Sequence, residues 1–196
     1  MQIVFSYWRE VLSWIAVIIA MYSYVTYIRS IFAWKTEPHV FSWGIWALTT
    51  GIAFFAQIAW GGWWGTAQNG FTFIVCIFVA VLALKYWQKW KFHTLDWWSL
   101  SLSFVAIGLW FYTKNPFYGS LFAMLADLIG YIPTFRKVWK KPESEPTWYY
   151  LLMNVKHWLS LLALSAYNWT TMIFSASVIV INFALITAQV CRRNKT

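Results

Sequence analysis

Charge is scarce in this chain. Only 11% of its 196 residues are Asp, Glu, Lys or Arg, and just six are acidic, against about 25% charged in a typical soluble domain. With 61% hydrophobic and 22% aromatic residues, a water-soluble core of this size could not hide the apolar surface. Cysteine is scarce too. Cys76 and Cys191 stand in or at the end of apolar segments, without CxxC or zinc-ligand spacing, which argues against a disulfide or a structural metal. His39, His93 and His157 occur singly, and the chain shows no nucleophile–base or Gly-rich phosphate signature. Nothing therefore points to an enzyme or a cofactor. No basic stretch precedes the first apolar run and no small-x-small cleavage site closes it, so that run is expected to be a retained helix rather than a signal peptide.

What the chain has is apolar runs of membrane-spanning length, for which about 20 residues suffice. Seven are expected as helices: Val11–Ala33, Val40–Trp60, Thr66–Tyr86, Asp96–Thr113, Pro116–Phe135, Trp148–Tyr167 and Thr170–Cys191. Their connections are short and leave no segment for a soluble domain. Seventeen tryptophans and eleven tyrosines suit the two membrane interfaces, where an apolar ring body and a polar edge are both satisfied. The expected class is an all-α integral membrane protein whose surroundings are the lipid bilayer.

The net charge of +9 is not a nucleic-acid footprint, because the bases sit in short clusters between apolar runs. Arg9 and Lys114 lie on one side. Arg29, Lys35, Lys85, Lys89, Lys91 and Arg136 lie on the other, with Lys137, Lys140, Lys141, Arg192, Arg193 and Lys195. The positive-inside bias places that second side in the cytoplasm, the N-terminus outside and the C-terminus inside. A bacterial inner membrane is the expected location, and a homo-oligomer is left open.

The chain also repeats itself. "YIRSIFAWKTEPHVFSW" (Tyr27–Trp43) aligns with "YIPTFRKVWKKPESEPTW" (Tyr131–Trp148) with one inserted residue. Tyr-Ile opens both, Ser30 or Thr134 follows, Trp-Lys recurs, and Ser42-Trp43 or Thr147-Trp148 closes each copy. Ser42 and Thr147 are placed to cap the next helix. Helix 1 then corresponds to helix 5, helix 2 to helix 6 and helix 3 to helix 7. Three helices are an odd number, so a fourth is needed to keep the copies parallel. The organisation expected is 3+1+3: residues 1–92, a linker helix over 93–115, and residues 116–196.

These features resemble the SWEET and PQ-loop (MtN3-like) superfamily. Pro133-Thr134 stand where that family carries its Pro-Gln pair, followed by a basic tail, and Ile28-Arg29 take that place in the first repeat. The resemblance implies a small-solute carrier that alternates access by rocking two triple-helix bundles. It further implies a midmembrane pocket framed by asparagines on the third helix of each repeat and tryptophans on the second. Asn69 matches the first asparagine. In helix 7 the length-matched position falls at Ser175–Ser177, with Asn182 about two turns deeper, and Gln57 stands where helix 2 would carry the tryptophan. Similar 3+1+3 helices in nicotinamide riboside uptake proteins suggest a vitamin- or nucleoside-type carrier as the alternative. A non-transporting ligand receptor on the same scaffold would need a basic pocket, and only Lys156 lies clearly inside an apolar run.

Read from the residues alone, polar side chains recur at heptad spacing, which keeps them on one helix face. Asn168, Ser175, Asn182 and Gln189 do so in helix 7, and Ser120, Asp127 and Thr134 in helix 5. Trp43, Thr50 and Gln57 form a similar line in helix 2. Such stripes either border a water-accessible path or let helices pack closely. Asp127 is the sharpest case, since a carboxylate inside a span costs about 2.5 kcal/mol or more. It is either a structural partner of Lys156 or a protonatable group that couples transport to protons or contacts a polar solute. His157 with Asn154 could border the same cavity. The candidate solute-binding residues are thus Asn69, Asn182, Gln57, Asp127, Asn154, His157 and Ser175. Gly130 and Pro133, which interrupt a regular helix, are the candidate hinge.

Overall fold

The computed structural model describes residues 4–33, 38, 40–85, 94–140, 142 and 146–193. These form seven α-helices and no strand: α1 (Val4–Phe32), α2 (Val40–Ala59), α3 (Ala67–Ala83), α4 (Thr94–Thr113), α5 (Pro116–Lys140), α6 (Thr147–Ala163) and α7 (Trp169–Arg193). A short 3-10 turn, Trp63–Thr66, leads into α3. Four segments are long and apolar enough to cross a membrane: Tyr7–Phe32, Ser42–Ala59, Trp63–Ala83 and Trp169–Arg193. Several of the bases that orient the chain (Lys35, Lys89, Lys91, Lys141 and Lys195), and the boundary at residues 92 and 93, lie outside the described residues.

Local chemistry sets several helix ends. Asn115 Oδ1 accepts the Phe117 backbone N–H at 3.0 Å, with Pro116 as first helical residue, where its missing N–H costs nothing. At the start of α7, Asn168 Oδ1 accepts the Thr171 N–H at 3.0 Å and Thr171 Oγ1 accepts the Asn168 N–H at 3.1 Å. This reciprocal cap takes Asn168 out of the polar stripe. At the far end of α7, Arg192 Nε donates to the Trp139 carbonyl at 3.2 Å and an Arg193 nitrogen to the Pro142 carbonyl at 3.3 Å.

Other ends differ from the sequence expectation. α5 continues five residues past Phe135, because the Arg and Lys of the basic tail are good helix formers. Neither Ser42 nor Thr147 stands at the position before its helix. α2 begins at Val40, which puts Ser42 inside its first turn. Pro146 is the residue before α6, and Thr147 Oγ1 has no partner among the described residues. The segment Trp148–Tyr167 is helical only to Ala163, after which Leu164 becomes extended (φ −57°, ψ 135°). The α2–α3 connection seats against this end. A Cβ on Gly65 would lie 2.6 Å from the Ser160 carbonyl oxygen and 2.8 Å from the Leu164 nitrogen, so only glycine allows this backbone to seat against the end of α6.

The helices pair in a regular pattern. α3 lies between α1 and α2, and α7 lies between α5 and α6. α1 also reaches α2 through side chains, Trp43 Nε1 donating to the Tyr27 hydroxyl at 3.3 Å with the two rings 4.9 Å apart. Across the middle α1 packs on α6 and α2 on α5, while α4 rests on α5 and α2. Exchanging α1 with α5 and α2 with α6 maps the first of these cross-contacts onto the second.

Large apolar side chains face outward in number, and many polar ones are buried beside the apolar core. Ile18, Ile74, Phe111 and Val180 are exposed, whereas Ser23, Thr49, Gln57, Asn69, Ser175 and Asn182 are fully buried. A central aromatic cluster joins the halves: Tyr24 and Tyr27 of α1 meet Tyr149 of α6, and Trp46 of α2 meets Tyr131 of α5.

Candidate functional site

A cavity of about 50 Å³ lies where the two sets of helices face each other. Tyr24 of α1, Trp46 and Thr50 of α2, and Thr72 and Cys76 of α3 line one side. Asp127 and Tyr131 of α5, Tyr149, Lys156 and His157 of α6, and Phe174 of α7 line the other. This volume holds a few water-sized groups.

Asp127 and Lys156 are its charged groups. Asp127, 4% exposed, accepts a hydrogen bond at Oδ1 from Thr49 Oγ1 of α2 at 3.2 Å. Its second oxygen has no partner among the described residues. Lys156, 1% exposed, donates to Thr72 Oγ1 of α3 at 2.9 Å and to Tyr24 Oη of α1 at 3.5 Å. Its nitrogen lies 5.2 Å from the Tyr24 ring centre, within cation–π range. The two charges do not meet within the 4.0 Å of an ion pair. Asp127 sits on the α2/α5 seam and Lys156 on the α1/α6 seam, so they border the cavity from its two interfaces.

Buried charges are ordinarily compensated by direct pairing, since each costs several kcal/mol to desolvate. Here the hydrogen-bond partners of each are neutral hydroxyls only. An ammonium offers three donors and a carboxylate about four acceptor sites. Both groups therefore retain hydrogen-bonding capacity.

The other expected residues do not gather in one place. His157 joins the cavity wall. Gln57 and Asn69 do not line it. They belong to a polar layer beside the α2–α3 and α6–α7 connections. Gln57 Nε2 donates to the Thr171 carbonyl at 2.7 Å, and Asn69 Nδ2 donates to Gln57 Oε1 at 2.9 Å. Gln68 donates to Asn69 Oδ1 and lies 3.4 Å from His157 Nδ1. Ser160 Oγ donates to the Gly65 carbonyl and Ser120 Oγ to that of Thr170, the latter at 3.1 Å. These bonds tie α2 and the 3-10 turn to α6 and α7, closing that end.

Asn182 Oδ1 accepts from the Tyr131 hydroxyl at 3.0 Å, while its Nδ2 is unpartnered among the described residues. Both amide atoms of Asn154 and the Ser175 hydroxyl are likewise buried without partners there. Gly130 and Pro133 fall inside α5, which runs through them as one helix. A Cβ on Gly130 would meet nothing closer than 3.8 Å, and the Pro133 side chain lies outside the described residues.

Thr49, Tyr24, Trp46 and Tyr149 also belong to the site and are not singled out by the sequence. Thr49 had a signal, as a hydroxyl inside an apolar run, but its neighbour Thr50 fits the heptad line better. The aromatics had none.

No protein-family model, no curated protein and no solved structure matches the chain. The cavity geometry therefore has to carry the functional reading.

Proposed function

We propose that the protein is a membrane-embedded carrier of a small polar solute, working by alternating access between two triple-helix bundles. The cavity holding Asp127 and Lys156 carries this reading, because two buried and mutually unpaired charges at the junction of two helix sets are too expensive for a packing role. In this proposal α1–α3 and α5–α7 are the bundles and α4 is the linker. The sandwiching of α3 and α7, and the matching α1/α6 and α2/α5 contacts, support that division. The apolar exterior and polar interior support insertion in a bilayer, and the distribution of bases supports a cytoplasmic C-terminus. Asp127, protonatable and set in the cavity wall, is the group through which transport would be linked to protons. The hydrogen-bonded layer around Gln57 corresponds to a state closed at the outer end.

The test is reconstitution of the purified chain in vesicles, followed by screening of labelled solutes. Saturable, counterflow-competent uptake supports the carrier. Ligand binding without equilibration across the bilayer overturns it in favour of a receptor.

A further inference from the structure

The cavity wall is electrically neutral in sum but not in detail. A carboxylate stands on one seam and an ammonium on the other, each nine-tenths or more buried, facing one cavity without touching as an ion pair and hydrogen-bonded only to neutral hydroxyls. A neutral solute such as a sugar would compensate neither charge. A simple anion would satisfy Lys156, leave Asp127 unpaired and add a net charge to a buried site, and a simple cation would do the converse. A solute carrying both signs satisfies both groups and leaves the filled cavity neutral.

We propose, building on the carrier reading, that the solute is a small zwitterion of the α-amino-acid or betaine class. Its carboxylate would be received by Lys156 with the hydroxyls of Tyr24 and Thr72, and its cationic nitrogen by Asp127 beside Thr49. The walls fit the remainder of such a molecule. Trp46 and Tyr131, tilted against each other on neighbouring helices at 6.2 Å between centroids, and Tyr149 supply aromatic surface to the same cavity. Aromatic quadrupoles attract ammonium and quaternary nitrogen alike. The volume of about 50 Å³ favours members with few atoms beyond the two charged ends. Anything bulkier requires the bundles to part.

The test uses the full chain in detergent, with unfolding followed by its intrinsic tryptophan fluorescence. The probes are L-alanine, L-proline and glycine betaine, compared at equal concentration with choline, propionate and glucose. The zwitterions are expected to raise the unfolding midpoint in a saturable way, and the singly charged and neutral probes to leave it in place. Response to betaine as well as alanine assigns recognition of the nitrogen to charge, whereas response to alanine and proline alone assigns it to N–H donation. Asp127→Asn should weaken zwitterion binding at least tenfold while gaining a response to propionate, and Lys156→Met should gain a response to choline. No shift with any zwitterion, or a shift that survives both substitutions, overturns the proposal; the wild-type panel decides it alone if a variant does not fold. Flux in vesicles separates it from the carrier reading. Zwitterion binding without transport removes the carrier and keeps the ligand class. Transport of glucose that no zwitterion inhibits keeps the carrier and removes the ligand class.

Discussion

Asp127 and Lys156 border one cavity without forming an ion pair, and each is held by neutral hydroxyls from the opposite set of helices. Thr49 reaches Asp127 across the α2/α5 seam, and Tyr24 reaches Lys156 across the α1/α6 seam. Both charges come from the second half of the chain. In the register that aligns Tyr131 with Tyr27 and Trp148 with Trp43, their first-half counterparts are Ser23 and Gly51, neither of which ionises. The two halves can share a scaffold while only one supplies the charges.

Replacing Asp127 with Asn removes the charge and keeps the shape and an oxygen for Thr49. Because the ionised side chain costs about 2.5–3.5 kcal/mol inside a span, the variant should fold at least as stably as the parent. Uptake should nevertheless fall tenfold or more, equivalent to about 1.4 kcal/mol of lost stabilisation. What remains should no longer respond to an imposed pH gradient, since no proton can be taken up at that position. Vesicle uptake with and without the gradient checks both parts. Undiminished gradient-driven uptake would remove Asp127 from the coupling.

Asn154 makes the opposite kind of case. Its amide is 3% exposed and neither polar atom has a partner among the described residues. In the repeat register it corresponds to Thr49, the residue that holds Asp127. An unpartnered buried polar group costs about 1–3 kcal/mol, so Asn154→Leu should raise the unfolding midpoint by several degrees. If the amide is kept for a solute or for water along the path, the same variant should lower uptake. A more stable protein with unchanged uptake would assign Asn154 to packing.

The seven helices were legible because long apolar runs report helices whatever packs around them, and four of them are long and apolar enough to cross a membrane. Some of their ends were less so: Asn115 and Asn168 cap α5 and α7 locally, whereas the end of α6 lies against a connection distant in sequence. Nothing in "LSAYNW" says that α6 stops at Ala163, where Gly65 seats against Ser160 and Leu164. The site divides in the same way. Asp127 and Lys156 stand out in any reading, since a charge inside an apolar run is costly wherever the helix points. Gln57 and Asn69 look equally suited to bind a solute, yet their amides bond to each other and to the Thr171 carbonyl. Which acceptor an amide finds depends on helix rotation, and composition does not carry it. Tyr24 and Tyr149 were invisible among eleven tyrosines.

Gly65 offers a stringent check on the closed end. A methyl group added at its Cα would stand 2.6 Å from the Ser160 oxygen and 2.8 Å from the Leu164 nitrogen, both backbone atoms. Gly65→Ala can therefore be accommodated only if the 3-10 turn lifts off α6. It should lower the unfolding midpoint markedly, by an amount typical of overpacking, about 1–3 kcal/mol. Gly108 of α4 has nothing within 4 Å of the same position, so Gly108→Ala should be neutral or stabilising by about 0.5–1 kcal/mol. Equal effects at the two glycines would mean that the turn does not seat as described.

The two native cysteines report on topology without engineering. Cys191 is exposed near the end of α7, and Cys76 is buried in the cavity wall. With the C-terminus in the cytoplasm, a membrane-impermeant thiol reagent should label Cys191 in inverted vesicles and leave it unlabelled in right-side-out vesicles. Cys76 should resist the impermeant reagent from the outer side, because the layer joining Gln57, Asn69 and Thr171 closes that route. A small permeant maleimide should reach it only as the bundles part, at a rate that a bound solute slows and that Gly65→Ala, by loosening the closed end, accelerates from outside. Mass spectrometry of the two cysteine peptides separates the sites. Labelling of Cys191 from the outside would reverse the orientation, and rapid outside labelling of Cys76 in the unaltered protein would place the closed end on the wrong face.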